Sequence, residues 1–542
     1  MKFEIEPIKS VLMKSDSNSQ EIAFVCELLT DFTATQWTDL FTALDNESAD
    51  AIRNGSARAC EAVLRMFLAW GYEQLRMTPE GCPIDAPLRH GMCGFYRVLR
   101  GLTLPRHHLL MVLAMAQEDA CRDDLTTLLL EDPPTGSMEA AAPLMPLFRS
   151  PKPSTARLFP RLLEGLENVE LAPAILDLAN FLTRERVVDQ HPALGRSNQL
   201  IRLLEGLIDG LTRLEHQAFA SSAETFDEAK KNLENFSNSA LDPSEKANDS
   251  LLLAFALCDA LGAIGDRAAI PTLERATELS HRRLRVEAWT ALGRLGMERG
   301  INELAKMAAH PAVRLRVLAY AEEMQWMERI DEPWRSPEAI AEAELVAYLA
   351  QPTVFGVAPS GCELVDTRTL YWPGYDEPRV CYLFRFTYQI MHPDTEKRAE
   401  YANYGLAGPA VQAFQADLTH LAFDDVYAVF AGWTAEHEEL VETNFDQLSP
   451  REFQIADERL RELEDADYEA IEPIGMLDFF GDLVFWAVAQ SQGAPGIAIV
   501  EVGDTIWKPY APGEAGSAVP LIKNWYKGRR LLLAFNDDLA GT

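Results

Sequence analysis

The feature that most constrains the fold is a segment that recurs every 31 residues. Its copies are "LAFALCDALGAIG" at 253–265, "LRVEAWTALGRLG" at 284–296 and "LRVLAYAEEMQWM" at 315–327. A unit of this length cannot bury its apolar face by itself, whereas a stack of such units can. The spacing therefore predicts pairs of helices that stack one after another along the chain.

Each copy carries signals for the end of one helix and the start of the next. The first two copies end in Gly265 and Gly296, and glycine suits the left-handed position that follows a helix. Asp266 then suits a helix N-cap, and Pro271 suits the first helical turn. The third copy has Met327 at the glycine position. Terminal units of a repeat array often depart from the pattern in this way.

Over about residues 250–330, the stretches "ALGAIGDRAAIPTLERA" and "LRVEAWTALGRLG" resemble HEAT-like repeats of the short, phycobilisome-lyase type. The resemblance implies an α–α superhelix, a solenoid of a kind that mostly binds other proteins. The period is shorter than the roughly 40–47 residues of most HEAT and armadillo units. The sequence patterns of ankyrin and tetratricopeptide repeats are absent from these stretches.

We expect a mainly α protein, in which a HEAT-like solenoid is followed by a C-terminal α+β domain. The predicted domains are 1–245, with irregular helical pairs, 246–330, with the repeats, and 331–542, with segregated helices and strands. Amphipathic stripes support helices up to residue 219. The polar segment 221–250 is expected to form an exposed helix and a linker.

In the C-terminal domain, aromatic and β-branched runs predict a hairpin of residues 362–373 and 379–390. Helices are predicted over 408–423, 424–445 and 449–471, with Ser449 and Pro450 at the start of the last one. Further strands are predicted over 482–491, 496–502 and 504–510.

Composition narrows the classes of partner. The chain has 49 Lys and Arg against 83 Asp and Glu, so its formal net charge is −34. Such a chain repels phosphate backbones and anionic membranes, which argues against nucleic acid and membrane as partners. It favours protein partners with basic patches. The eight scattered cysteines form no C-x-x-C pair, and no secretory signal is evident at the start, so we expect a cytoplasmic protein with reduced thiols.

Four arginines recur at equivalent positions of successive copies: Arg283 and Arg314, and Arg285 and Arg316. A guanidinium group binds carboxylates through two parallel hydrogen bonds, so such a ladder is a candidate surface for a partner's carboxylates. The alternative, which we favour, is that each arginine pairs with a carboxylate of an adjacent helix or of the C-terminal domain.

A second candidate site is a pocket beside the hairpin, with Tyr375, Arg385 and His392 as polar groups. Alternate residues of the second strand form an aromatic face, which is better explained as core: Tyr382, Phe384, Phe386 and Tyr388. Gly405 and Gly408 are interpreted as a tight turn before a helix rather than as an anion site. Cys82, His90 and Cys93 lack the paired spacing of structural zinc sites.

No catalytic signature is present, and we assign no catalytic, metal or cofactor residue. We therefore predict a non-catalytic protein–protein interaction or scaffold protein. The alternative is an enzyme or enzyme subunit. It is either similar to a bilin lyase, as the resemblance implies, or has an active site in the α+β domain.

Overall fold

The structure is a computed structural model. It describes residues 5–509 except 16, 46, 48, 79, 117, 150, 152, 222–242, 371, 373, 374, 376, 392–397, 435–439, 480–481 and 502–503. The exposed helix and linker predicted over 221–250 fall largely outside these described residues, and residues 243–250 belong to the helix that continues to Ile264. Within them, no helix combines the length and the apolar character that a membrane crossing requires.

The chain divides into two compact units, Met1–Lys306 and Met307–Thr542. Up to Met307 the described residues form helices joined by turns and short connections. In chain order the helices are α1 (Glu6–Leu12), α2 (Ser19–Leu29), α3 (Ala34–Asp45), α4 (Ala49–Arg53), α5 (Ala57–Met77), α6 (Ala86–Val98), α7 (His107–Met115), α8 (Asp119–Glu131), α9 (Ser137–Ala141), α10 (Met145–Arg149), α11 (Phe159–Leu162), α12 (Ala172–Arg184), α13 (Ser197–Ser221), α14 (Pro243–Ile264), α15 (Ile270–Glu278), α16 (Arg282–Arg294) and α17 (Glu298–Met307). The division into three domains remains a proposal.

Helices α12 to α16 form two stacked layers. α14 packs between α12 and α16, while α13 packs against α14 and α15, and α15 packs against α16. Gly262 lies where α14 meets α16, and a Cβ atom built on it would lie 2.9 Å from the Cα atom of Ala291. The Ala-Leu-Gly motif therefore matters for packing, because glycine lets the two helices approach closely.

The predicted helix ends are confirmed in the first two copies. Gly265 and Gly296 have φ values of 80° and 83°. After α16, the N–H of Gly296 donates to the carbonyl of Gly293, and that of Met297 donates to Leu292. This pair of bonds is a Schellman motif, which satisfies carbonyls at the helix end. Asp266 accepts a hydrogen bond from the Ala268 N–H, as predicted for an N-cap.

Two further helices end in the same way without glycine. Gln325 has φ 59° after α18 (Pro311–Glu323), and the N–H of Trp326 donates to the Ala321 carbonyl. Arg186 has φ 55° after α12, and the N–H of Val187 donates to Leu182. The pair α12–α13 thus has the helix end of a repeat copy, although its sequence shows no period of 31.

The second unit contains helices and two antiparallel sheets. After α18 its elements are α19 (Pro337–Leu349), β1 (Gly361–Leu370), β2 (Arg379–Met391), β3 (Arg398–Ala407), β4 (Gln412–Ala413), α20 (Phe423–Thr434), β5 (Leu440–Asn444), α21 (Pro450–Asp465), β6 (Glu469–Phe479), β7 (Asp482–Ser491), β8 (Ala494–Glu501) and β9 (Asp504–Pro509). Among the described strands, the sheets have the orders β1-β2-β3-β4 and β5-β6-β7-β8-β9. The predicted mainly α class with a C-terminal α+β part is confirmed.

Three cores hold this unit together. The inner faces of both sheets share one core with α20, which includes Leu383, Trp486 and Phe430. α19 packs on the outer face of the first sheet, against the alternating aromatic residues of β2, so their assignment to the core was right. α21 packs on the outer face of the second sheet. Ser449 caps α21, and Pro450 lies in its first turn, as predicted.

The predicted helix over 408–423 is wrong, because that stretch contains β4 and turns before α20 begins. The reason is the buried side chain of Asn403. Its amide donates to the carbonyls of Phe414 and Ala416 at 3.0 and 2.7 Å, and its oxygen accepts from the N–H of Leu418 at 3.0 Å. These bonds satisfy backbone groups that a helix would otherwise satisfy within itself.

The other two predicted helices are too long. The prediction over 424–445 covers α20 but also β5, and the prediction over 449–471 runs past α21 into β6. Strands β3, β4, β5 and β6 were missed. β5 and β6 pair with each other, from Leu440 opposite Phe479 to Asn444 opposite Gly475. Pairing between distant segments overrides local helix preference here.

We predict that Gly262→Ala destabilises the first unit by about 1–3 kcal/mol, because the added methyl group overlaps the backbone of α16. The matched control is Gly206→Ala in α13, where nothing lies within 4 Å of the new Cβ atom. The control is expected to gain up to about 1 kcal/mol from helix propensity. Thermal unfolding of both variants measures the difference, and equal shifts would contradict the close approach.

Candidate partner-binding surfaces

Arg283 is the member of the arginine ladder that reaches solvent in a fixed position. Its side chain is 50% exposed, and its Nε lies 3.7 Å from the Oε1 of Glu287, one turn further along α16. Its guanidinium carbon lies 4.6 Å from the centre of the Phe255 ring on α14. The ring and the carboxylate orient the guanidinium group, and half of the side chain remains available to a partner.

The other three arginines of the ladder are more enclosed than Arg283. Arg314 is 1% exposed and donates to the carboxylate of Glu342 at 2.7 Å and to the carbonyl of Ala308 at 2.8 Å. Arg316 donates to the Tyr320 hydroxyl at 2.6 Å. The Nε of Arg285 is buried and has no hydrogen-bond partner within the described part of the chain. The partner hypothesis therefore depends mainly on Arg283.

Helices α12, α14 and α16 also contain a network of charges around a buried carboxylate, which the sequence did not single out. Asp259 on α14 is 6% exposed and binds two arginines, one on each neighbouring helix. Arg184 of α12 donates to it at 2.7 Å, and Arg294 of α16 donates at 2.5 Å. One carboxylate thus connects three successive helices of the same layer. The position equivalent to Asp259 in the next copy is Thr290, so a comparison of the copies shows no recurring acidic residue there.

Asp177 of α12 borders this network at the surface. It is exposed to solvent, and Asp259, Arg184 and Arg283 lie close enough to interact with its charge. The face formed by α12, α14 and α16 therefore presents an exposed carboxylate and an exposed guanidinium group. We call this surface the Asp177–Arg283 face.

A buried histidine lies next to the network. The Nδ1 of His191 accepts a hydrogen bond from the N–H of Ala193 at 3.1 Å, so its Nε2 carries the proton and donates to Asn180 at 2.9 Å. Asn180 in turn donates to the carbonyl of Ala256 on α14 at 3.2 Å. Burial lowers the pKa of His191 to about 4, although Asp259 opposes this effect. The neutral ring is the form that fits these bonds.

The residues of the predicted hairpin pocket lie in different surroundings. Tyr375 is 41% exposed, and its hydroxyl donates to the carbonyl of Pro409 at 3.3 Å. Arg385 is half-buried in the middle of β2, and its Nη2 lies 3.5 Å from the carboxylate of Glu400 on β3. His392 lies outside the described residues. The groove next to Tyr375 is not lined by Arg385, so a pocket formed by all three residues remains a hypothesis.

The cysteines that suggested zinc are buried thiols. Burial raises the pKa of both Cys82 and Cys93 to about 12, and the carboxylate of Asp124 adds to the effect at Cys93. Over the residues that the structure describes, no group of three or more His, Cys, Asp or Glu side chains is placed to hold a metal ion.

Comparison with known families supports the repeats. A family model described as HEAT repeats matches residues 246–324. That stretch contains the first two copies and most of the third. A search of curated proteins found no match to the chain. The HEAT-like nature of this region is therefore established, whereas its assignment to the phycobilisome-lyase type is not.

We predict that Asp259→Ala destabilises the first unit by about 3–5 kcal/mol, because the buried Arg294 and the half-buried Arg184 both lose the carboxylate that they bind. Asp209→Ala is the matched control, since Asp209 pairs with Arg275 on the exposed surface. The free energy of unfolding of this control is expected to fall by less than about 1 kcal/mol. Urea unfolding of the two variants measures the contrast, and similar losses would contradict a structural role for the network.

The buried His191 should make the stability of the first unit depend on pH. Its pKa is about 4 in the folded chain against 6.5 without perturbation, so below pH 6.5 the unfolded chain binds a proton that the folded chain does not. This contribution to stability is present above pH 6.5 and is lost as the pH falls to 4, by about 3 kcal/mol in all. Because His191→Gln removes it, the stability difference between wild type and variant should shrink from pH 7 to pH 4. A difference that does not change with pH would count against the assignment.

Proposed function

We propose that this protein is a non-catalytic scaffold that binds another protein through the Asp177–Arg283 face. The match of residues 246–324 to HEAT repeats supports this proposal, since such repeats often mediate protein interactions. The observation that carries it is the half-exposed guanidinium group of Arg283, which the ring of Phe255 and the carboxylate of Glu287 hold in place. We also propose the division into a helical N-terminal region, the repeats and an α+β domain.

Arg283 is well suited to bind a partner's carboxylate. A free arginine loses considerable side-chain entropy when it is fixed in an interface. Contacts with the ring of Phe255 and the carboxylate of Glu287 already restrict this one, so binding immobilises less. Its planar group also has donors to spare for a bidentate contact with a carboxylate.

Asp177 gives the same face a charge of the opposite sign. A partner that places a carboxylate on Arg283 and a basic group on Asp177 is complementary in one orientation only. Paired charges of this kind fix the register of an interface and suppress wrong partners. The formal net charge of −34 adds a long-range attraction for partners with basic surfaces.

The enzyme alternative stays a separate proposal. The period of 31 residues favours its bilin-lyase version, because it is shorter than that of most HEAT units. Addition of a bilin to the purified protein tests this version, since bound bilin shifts its visible absorption. A shift that saturates at one bilin per chain would favour this alternative over the scaffold.

We predict that Arg283→Glu reduces recovery of the partner about tenfold or more, because it replaces a contact at a binding hot spot with repulsion. The measurement is affinity capture from native lysate with quantitative mass spectrometry. Arg267→Glu is the matched control, since Arg267 is exposed between α14 and α15. The control should recover the partner as wild type does. Absence of any stoichiometric partner of wild type, or equal losses in both variants, would contradict the proposal.

A further inference from the structure

The second unit contains a groove that the proposed scaffold function does not use. One wall is the N-terminal half of α19, with Ile340, Ala341 and Glu344, and the other wall carries Tyr375, Val380 and Pro409. Its volume is about 530 Å³, and it is shallow and open to solvent. We call it the α19 groove. Sites that bind small molecules enclose most of the ligand surface, so an open groove of this size is better suited to a peptide.

The local backbone forms the groove. Gly408 follows β3 with φ 149°, and a Cβ atom there would lie 2.5 Å from the carbonyl oxygen of Val380. Only glycine allows the chain to turn this close to β2, which places Pro409 opposite α19. On the helix, Ala341 has a small side chain that packs against the outer face of the first sheet. Both features leave space between the walls.

The wall opposite α19 exposes apolar side chains in a fixed position. Tyr375 is 41% exposed and Val380 is 42% exposed, and both line the groove. The hydroxyl of Tyr375 donates to Pro409, and the guanidinium carbon of Arg379 lies 4.9 Å from the centre of its ring. An aromatic side chain that is already oriented loses little entropy when a partner packs on it.

The helix wall carries the carboxylate of Glu344, which lines the groove. Glu338 lies near the groove without lining it, since it adds to the effect of burial that raises the pKa of the lining residue Tyr382. The cation of the groove, Arg379, lies on the opposite wall over the ring of Tyr375. A ligand that packs on Tyr375 therefore meets carboxylates on the α19 side, which select for a basic residue there.

We propose that the α19 groove binds an extended, proline-containing peptide of a partner protein, with an arginine or lysine of that peptide directed at Glu344. Polyproline segments are extended before they bind and dock on grooves lined by aromatic side chains, so they lose little conformational entropy. The exposed ring of Tyr375 supplies the platform, and the carboxylates of α19 supply the charge complement. The site lies in the second unit and does not depend on the Asp177–Arg283 face.

The test uses the full chain and a fluorescein-labelled peptide of proline pairs followed by two arginines. We expect saturable binding by fluorescence anisotropy, weakened about tenfold or more by Tyr375→Ala and by Glu344→Lys. Phe453→Ala and Glu458→Lys are the matched controls, because they change an exposed aromatic residue and an exposed carboxylate of α21. They should bind within about twofold of wild type, and so should Arg283→Glu, since its change lies in the first unit.

Two altered peptides make the test specific. Replacing the arginines with glutamates, or the prolines with alanines, should each weaken binding about tenfold or more. Equal binding of either altered peptide would overturn the proposal, as would the absence of saturable binding. Self-association of wild type in analytical ultracentrifugation that Tyr375→Ala abolishes would also overturn it, because a second copy of the chain would then be the occupant.

Discussion

The stacked helices of the first unit depend on one buried carboxylate. Asp259 binds an arginine from α12 and another from α16, so a single side chain of α14 fixes three helices in one layer. A buried carboxylate needs such partners, and Arg294 is buried together with it. These contacts add to the close packing of α14 on α16 at Gly262, and both restrict how the two helices can shift against each other. The charge network therefore helps to specify how these helices stack.

The same network determines which charges this surface presents. Arg294 is buried and Arg184 is bound to Asp259, so Arg283 and Asp177 are the more exposed charges of this face. In the second unit, α19 divides its charges in a similar way. Glu342 is bound to Arg314, while Glu344 lines an open groove. In both units, some charged residues of a helix hold the fold together, while others of the same helix are exposed to a partner.

The sequence predicted the features that repeat or alternate and missed those that depend on distant contacts. The period of 31 residues and the glycines located the repeats, and the alternation along β2 identified its buried face. β3 was missed, and a helix was predicted after it, because the bonds of the Asn403 side chain are not local. The arginine ladder was visible as a pattern, but only the structure distinguishes enclosed Arg314 from exposed Arg283. Asp259 and Asp177 gave no periodic signal at all.

The left-handed residues at Arg186 and Gln325 bear on how far such a stack can be recognised from its sequence. At both helix ends the backbone hydrogen bonds are kept while the glycine is absent. A helix pair can therefore lack the glycine by which a copy is recognised and still end in the same backbone geometry. The stretch that matches HEAT repeats spans residues 246–324, and α12–α13 extends the stacked helices beyond it in the first unit. The architecture of this unit thus reaches further than the sequence pattern by which it is detected.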